Sequence, residues 1–275
     1  MRAPTRRGSP PTSILAGLLV GLLVLPGCGA LSVRQEGEIG SEAARDLERE
    51  LDFVHDAWVV NYVTDIGRQV VAAAGPQPYE YHFYVVDDDD INAFALPAGY
   101  IYIHTSIILE SANVSELAGV IGHEVGHVAL RHVARNYNRQ RNTGILYNFG
   151  SLLLSMFVGG HAAAGGRILG ELGAVAYVNT FTRDAEVEAD SFAVEFLPAA
   201  GYDPTGMVTF FETLRRKSGG SNVPGFLASH PPTADRIEHT SALIASAALP
   251  GSLRVSDGGE LEIIQRRIEL LTGKR

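Results

Sequence analysis

Three histidines and a glutamate, His123, Glu124, His127 and His132, stand in the run IGHEVGHVALRH between residues 121 and 132, which apart from them and Arg131 is apolar. Residues four apart on a helix differ by about 40° in direction, so His123 and His127 share a side one turn apart and both can reach one metal ion. Two neutral imidazoles suit zinc. Glu124, one position on, can approach a water activated at that ion without entering the ligand set, which is the placement a general base needs. His132 falls nine residues after His123, about 180° around a continuing helix, and reads as a structural or surface histidine. A third ligand therefore has to come from elsewhere in the chain.

EVEAD, residues 186–190, offers one. Glu186 and Asp190 are again four apart and share a face. Glu186 can complete a two-histidine, one-glutamate zinc site, and Asp190 can accept a hydrogen bond from a ligand imidazole. Glu188 points about 160° away from Asp190 and reads as facing solvent. Without the histidine pair, the whole stretch would read as a solvated acidic helix face.

The elements that must position these residues follow from periodicity. Residues 41–74 have helical composition, with Val59, Tyr62, Val63, Ile66 and Val70 at helical spacing, and Gly75 and Pro76 end the run. YHFYVV (81–86) and YIYIH (100–104) read as two strands bracketing a loop rich in Asp, Gly and Pro. Asn113 is a candidate N-cap for the histidine-bearing helix, with Glu116 three residues on. Further helices are expected over residues 181–201, 204–220 and 229–249, and a short exposed one in the C-terminal tail. Helix, then strands, then helices predicts a mainly helical α+β domain. The uncharged stretch 144–166 and its continuation to Val178 predict a buried or membrane-surface hairpin rather than a span, with His161 as a loop histidine.

Of the 275 residues 46% are hydrophobic and 19% charged, which predicts an ordinary globular core and not a disordered chain. Residues 1–27 read as a secretory leader, because Arg2, Arg6 and Arg7 precede an apolar run, Ile14 to Leu25, too short to cross a bilayer. LPGC resembles the lipobox of bacterial lipoproteins, which implies lipid attachment at Cys28, the chain's single cysteine. The plain alternative is a chance cysteine in a leader. Gly29, in place of Asp, favours the outer membrane by the lipoprotein sorting pattern. The Arg6–Arg7 pair lacks the rest of a twin-arginine signal. Without the leader's three arginines, 19 basic residues face 31 acidic ones, a net charge of −12, which excludes nucleic acid as a partner.

HEVGH and EVEAD, with NAFALPAGYIYI upstream and SHPPTADRI downstream, resemble the M-forty-eight family of zinc metallopeptidases from about Glu36 to His239. The resemblance implies a zincin-like domain with a small β-sheet and an active-site helix carrying HExxH, and one zinc ion per chain held by His123, His127 and Glu186. It implies Glu124 as base, Asp190 behind a ligand imidazole, and His230 and Arg236 as oxyanion-stabilising groups, His230 alternatively being a fourth ligand that shuts the site. It implies that Asn92, Ala93, Phe94, Ala95 and Gly99 lie along an edge that pairs with the substrate backbone. Ala98 stands where the family usually has glycine. The chain is thus expected to comprise a leader (1–27), a lipid-anchored linker (28–40), a zinc metallopeptidase domain (41–245) and a tail with a short helix (246–275). The expected function is a membrane-anchored periplasmic endopeptidase acting on misfolded or stalled envelope proteins, with outer-membrane protein assembly machinery as a possible partner. The alternative is a self-inhibited chaperone or assembly factor. A structural protein with a degenerate site is disfavoured because every catalytic position is intact.

Overall fold

A computed structural model of the chain describes residues 31–136, 181–217, 225–231 and 233–273. Cys28 with the leader, and the apolar segment 144–178 with His161, lie outside the described residues. Among the described residues no helix is long and apolar enough to cross a membrane.

The first helix, α1, covers Val33–Glu50 and starts where Ser32 and Gln35 close a capping box. Residues 33–40, expected in a linker, are therefore helical, and Gly40 sits on the backbone of Pro97, where a Cβ would come 2.1 Å from the carbonyl oxygen. The expected single helix over 41–74 is two. Leu51 turns extended, Phe53 bridges Val86, and Asp56 accepts from the amides of Trp58 and Val59 to start α2 (Ala57–Ala73). The helical composition of 51–56 yields there to pairing with the sheet and to the Asp56 cap.

The sheet has three strands, β1 (His82–Val86), β2 (Ala93–Leu96) and β3 (Tyr100–His104), in the order β1-β3-β2. β1 runs parallel to β3 and β2 antiparallel to it. Tyr84, Tyr102 and Phe94 stand in register and stack across the three strands, with ring centroids 4.9 and 4.7 Å apart. Ala43, Ala44 and Leu47 of α1 cover that face, while the opposite face packs on α2 and on the histidine-bearing helix α4. Composition alone does not mark β2 within the loop between the two expected strands, because AFAL is short and carries two alanines, which are depleted in strands. It turns back through Ala98 at φ 65 and Gly99 at φ 95. Ala98 holds a glycine-like conformation that costs an ordinary side chain about 1 kcal/mol.

After α3 (Thr105–Glu110), Asn113 accepts from the Glu116 amide and begins α4 (Val114–Ala129), which runs through the centre of the main core. On α4, Gly119 lets the backbone of Met207 in α6 (Thr205–Lys217) approach, and Gly126 does the same for Ala189 in α5 (Arg183–Phe196). The short α7 (Gly225–Ser229) hangs on the chain before β2, with Gly225 donating to Asp90 and Phe226 donating to the Ile91 carbonyl. It leads to α8 (Ala234–Ser246), capped by Thr233. The tail helix α9 (Glu260–Thr272), expected to be exposed, buries Leu261, Ile264 and Ile268 in the main core. Arg267 pairs with both carboxylate oxygens of Asp56 at 2.6 Å, so the tail closes the domain against α2.

Candidate metal centre and active site

Because α4 is wrapped on all sides, its polar residues are buried: His123, Glu124 and His127 are each 0% exposed. Such burial costs several kcal/mol per charged or unpaired group unless partners compensate. The partners come from two other elements. α5 presents Glu186 and Asp190, and the turn between α7 and α8 presents His230, with Arg236 one turn into α8.

Nε2 of His123 lies 3.0 Å from Nε2 of His127 and 3.1 Å from Nδ1 of His230. Oε1 of Glu186 lies 3.0 Å from that His230 nitrogen and 3.4 Å from His127 Nε2. Neighbouring ligands around a tetrahedral zinc ion, bound at about 2.0–2.1 Å, are themselves about 3.3 Å apart. The four atoms, all within 4.8 Å of one another, therefore fit a zinc ion in both chemistry and spacing. Three of these residues are the set expected from the motifs. His230 lies with them as a fourth potential donor, the second of its two expected placements.

Asp190 Oδ1 lies 2.8 Å from His123 Nδ1, which turns the other ring nitrogen of His123 to the cluster. Arg236 does not point to an open oxyanion position. Nε and Nη2 donate to the two oxygens of Asp190 at 2.8 and 2.9 Å, and Nη1 lies 2.7 Å from Glu186 Oε2 and donates to the Pro231 carbonyl. Its guanidinium is engaged by the two carboxylates.

Burial disfavours a charged His123, but Asp190 and Glu186 outweigh it and raise its pKa to about 9. Burial pushes His127 well below the imidazole range, only partly offset by Glu186. For Glu186 the burial penalty is outweighed by His230, His123 and His127, which hold it well below the carboxylate range; for Asp190 burial is likewise opposed, by His123 and then Arg236, which lower it from its ordinary value. Glu124 goes the other way. Burial raises it, and neither of its oxygens has a hydrogen-bond partner, with His230 Nε2 3.5 Å from Oε1. One carboxylate is thus held ionised as a ligand candidate while its neighbour is free to take a proton.

Of the residues expected along the substrate edge, Ala93, Phe94 and Ala95 form β2, whose outer edge carries no strand among the described residues. Asn92 sits at its start, beside the Gly225–Phe226 contacts that lead to His230, and its Oδ1 is buried without a partner. Phe94 points instead under α1, and Gly99 packs on the Glu80 backbone at the far end of the strand. His132 is not on the surface. Arg131 at φ 56 breaks the helix, and His132, 1% exposed, comes to rest against His127. Glu188 is exposed, as expected, and its Oε2 lies 3.0 Å from His132 Nε2. Extending α4 past Leu130 concealed this pair, since nothing local marks Arg131 as a left-handed residue. Phe181, not singled out from sequence, stacks on His127 with ring centroids 3.9 Å apart.

Residues 57–244 match the model of Peptidase family M48. The chain is 34% identical over 228 residues to the beta-barrel assembly-enhancing protease of Yersinia pestis, covering 78% of this chain and 46% of that protein. It is 32% identical over 213 residues to the protein of the same name from Escherichia coli, covering 75% and 43%. It is 32% identical over 170 residues to the metalloprotease LoiP of Escherichia coli, covering 59% and 62%. The chain spans less than half the length of the two assembly-enhancing proteases. With a family match over most of the described fold, and a buried donor set that fits the metal this family uses, the chain belongs to peptidase family M48, the zinc metallopeptidases.

Proposed function

We propose that the chain is a zinc endopeptidase of the bacterial envelope, facing the periplasm and lipid-anchored through Cys28, that hydrolyses misfolded or stalled envelope proteins. The observation that carries the reading is Glu124, buried, without a hydrogen-bond partner and raised in pKa beside four metal-donor atoms. Zinc held by His123, His127 and Glu186 supplies Lewis acidity toward water and a scissile carbonyl. Glu124 takes the proton of the attacking water and delivers it to the leaving amine. Asp190 and Arg236 keep His123 and Glu186 in place while this happens. The outer edge of β2, from Asn92 to Ala95, offers backbone pairing to an extended polypeptide, which favours unfolded substrates. Relatives named for enhancing beta-barrel assembly support outer-membrane proteins and their assembly machinery as clients and partners.

A second reading has its own support, because His230 fills the fourth corner of the donor set and no residue of that set is more than 2% exposed. A chain held in this arrangement binds clients without cutting them. Casein cleavage in metal-defined buffer by wild type, Glu124→Gln and His230→Ala separates the two. Cleavage by wild type that Glu124→Gln abolishes supports the peptidase. Cleavage by His230→Ala alone makes it a peptidase restrained by His230. No cleavage by any variant, with zinc bound, turns the assignment to the chaperone.

A further inference from the structure

The two ligand imidazoles on α4 are oriented by different means. His123 faces a carboxylate, Asp190, directly. His127 faces another imidazole, its Nδ1 lying 2.9 Å from Nδ1 of His132, while Nε2 of His132 lies 3.0 Å from Glu188 Oε2. Arg135 donates to the same Glu188 oxygen at 2.8 Å. An ionised carboxylate only accepts, so the proton on His132 must sit on Nε2, and a neutral His132 then offers a lone pair at Nδ1. His127 must donate from Nδ1 to meet it. Its Nε2 is left unprotonated, turned toward His123 and Glu186. Were the polarity of the chain reversed, His127 Nε2 would carry the proton and lose the lone pair that a metal needs.

We propose that His132, polarised by Glu188, is a positioning residue that fixes the tautomer of His127 and thereby sets how firmly the site retains zinc. The proposal rests on the reading of His127 as a ligand. Arg131 is what makes it possible, since its left-handed turn swings His132 back against α4 in place of the far side of a continued helix.

The test uses the zinc-loaded chain and follows metal loss into excess chelator for wild type, His132→Leu, His132→Asn, Glu188→Gln and Glu188→Lys. His132→Leu removes the acceptor, and Glu188→Lys replaces it with a donor that drives the His132 proton onto Nδ1. Both should shed zinc about 10–100-fold faster, the range for losing an outer partner of a metal-bound histidine. Asn at 132 keeps an acceptor oxygen where the ring nitrogen stood and should stay close to wild type, with Glu188→Gln between. In the metal-free chain, 15N ring shifts should place the His127 proton on Nδ1 in wild type and on Nε2 in Glu188→Lys, a change that a merely structural role would not cause. Position 188 is half exposed, so the lysine variant tests the idea even if His132→Leu fails to fold. Zinc retention and ring shifts in Glu188→Lys equal to wild type overturn the proposal. A wild-type chain that takes up no zinc overturns the ligand assignment itself.

Discussion

Arg236 and Asp190 form a two-pronged ion pair at 2.8 and 2.9 Å, with both side chains at most 2% exposed, and the same guanidinium reaches Glu186. A carboxylate that must hold an imidazole on one side is thus braced by a planar cation on the other. Arg236→Met should leave two buried carboxylates without their cation and lower stability by about 3–5 kcal/mol. Arg236→Lys keeps the charge but not the fork, so it should recover only part of this loss. Urea unfolding of the metal-free proteins measures both, free of any contribution from zinc. A lysine variant as stable as wild type would show that charge alone matters there.

Four donor atoms spaced for zinc also make metal binding a term in stability, because an ion held by the folded chain alone shifts the folding equilibrium. At a free zinc concentration 100 times the dissociation constant the gain is about 2.7 kcal/mol, or roughly 5–10 °C in melting temperature for a domain this size. Chelator should remove that increment from wild type and equally from Glu124→Gln, since Glu124 is outside the donor set. His127→Ala should show a smaller increment or none. A melt of wild type indifferent to both zinc and chelator sinks the donor assignment.

Much of this was legible in the residues, and what was not has specific causes. The i, i+4 pairs His123–His127 and Glu186–Asp190 announced a shared face on two helices, and Asn113 announced the start of one of them, because both signals are local. Glu188 is exposed and His132 is the structural histidine of its two expected readings, but their meeting is not legible locally, because it depends on one left-handed residue, Arg131, whose side chain is held from afar by Glu36 of α1. Arg236 read as an oxyanion group because the motif places it near the site without saying which way it faces. α9 read as an exposed tail because only Leu261, Ile264 and Ile268 reach the core, while Ile263, Leu270 and Leu271 remain exposed. β2 was hidden by its alanines, and it forms because β3 offers an edge rather than from any propensity of its own.

Glycine at two helical positions should respond to alanine in opposite directions. A Cβ on Gly119 of α4 would come 2.7–2.9 Å from Cα, N and Cβ of Met207, so the α4–α6 contact must open. Gly119→Ala should cost about 1–3 kcal/mol as overpacking. Gly37 on α1 has nothing within 4 Å of the same position. Gly37→Ala should add up to about 1 kcal/mol through helix propensity alone. Denaturant midpoints at constant m-value check both, and a stabilising Gly119→Ala would mean that the two helices are not in close backbone contact.

Asp56 joins α2 to the tail helix, capping α2 and accepting from Arg267 of α9. The Arg267 hydrogen bonds, and then the Val59 and Trp58 amides, hold its carboxyl below its ordinary value of 3.8 against the opposing effect of burial. A carboxyl that is more acidic when folded contributes its full stability above the unfolded pKa, about 3.9, and loses it as pH falls through the lower folded value. Asp56→Asn keeps a capping side chain but no charge for Arg267. Its melting temperature should lie below that of wild type at pH 7, and the gap should narrow from about pH 4 downward as Asp56 itself becomes neutral. Arg267→Met should show the same pH dependence, and adding it to Asp56→Asn should widen the gap little. A gap that stays constant between pH 7 and pH 3 would place the effect of Asp56 in its cap and not in its pairing with α9.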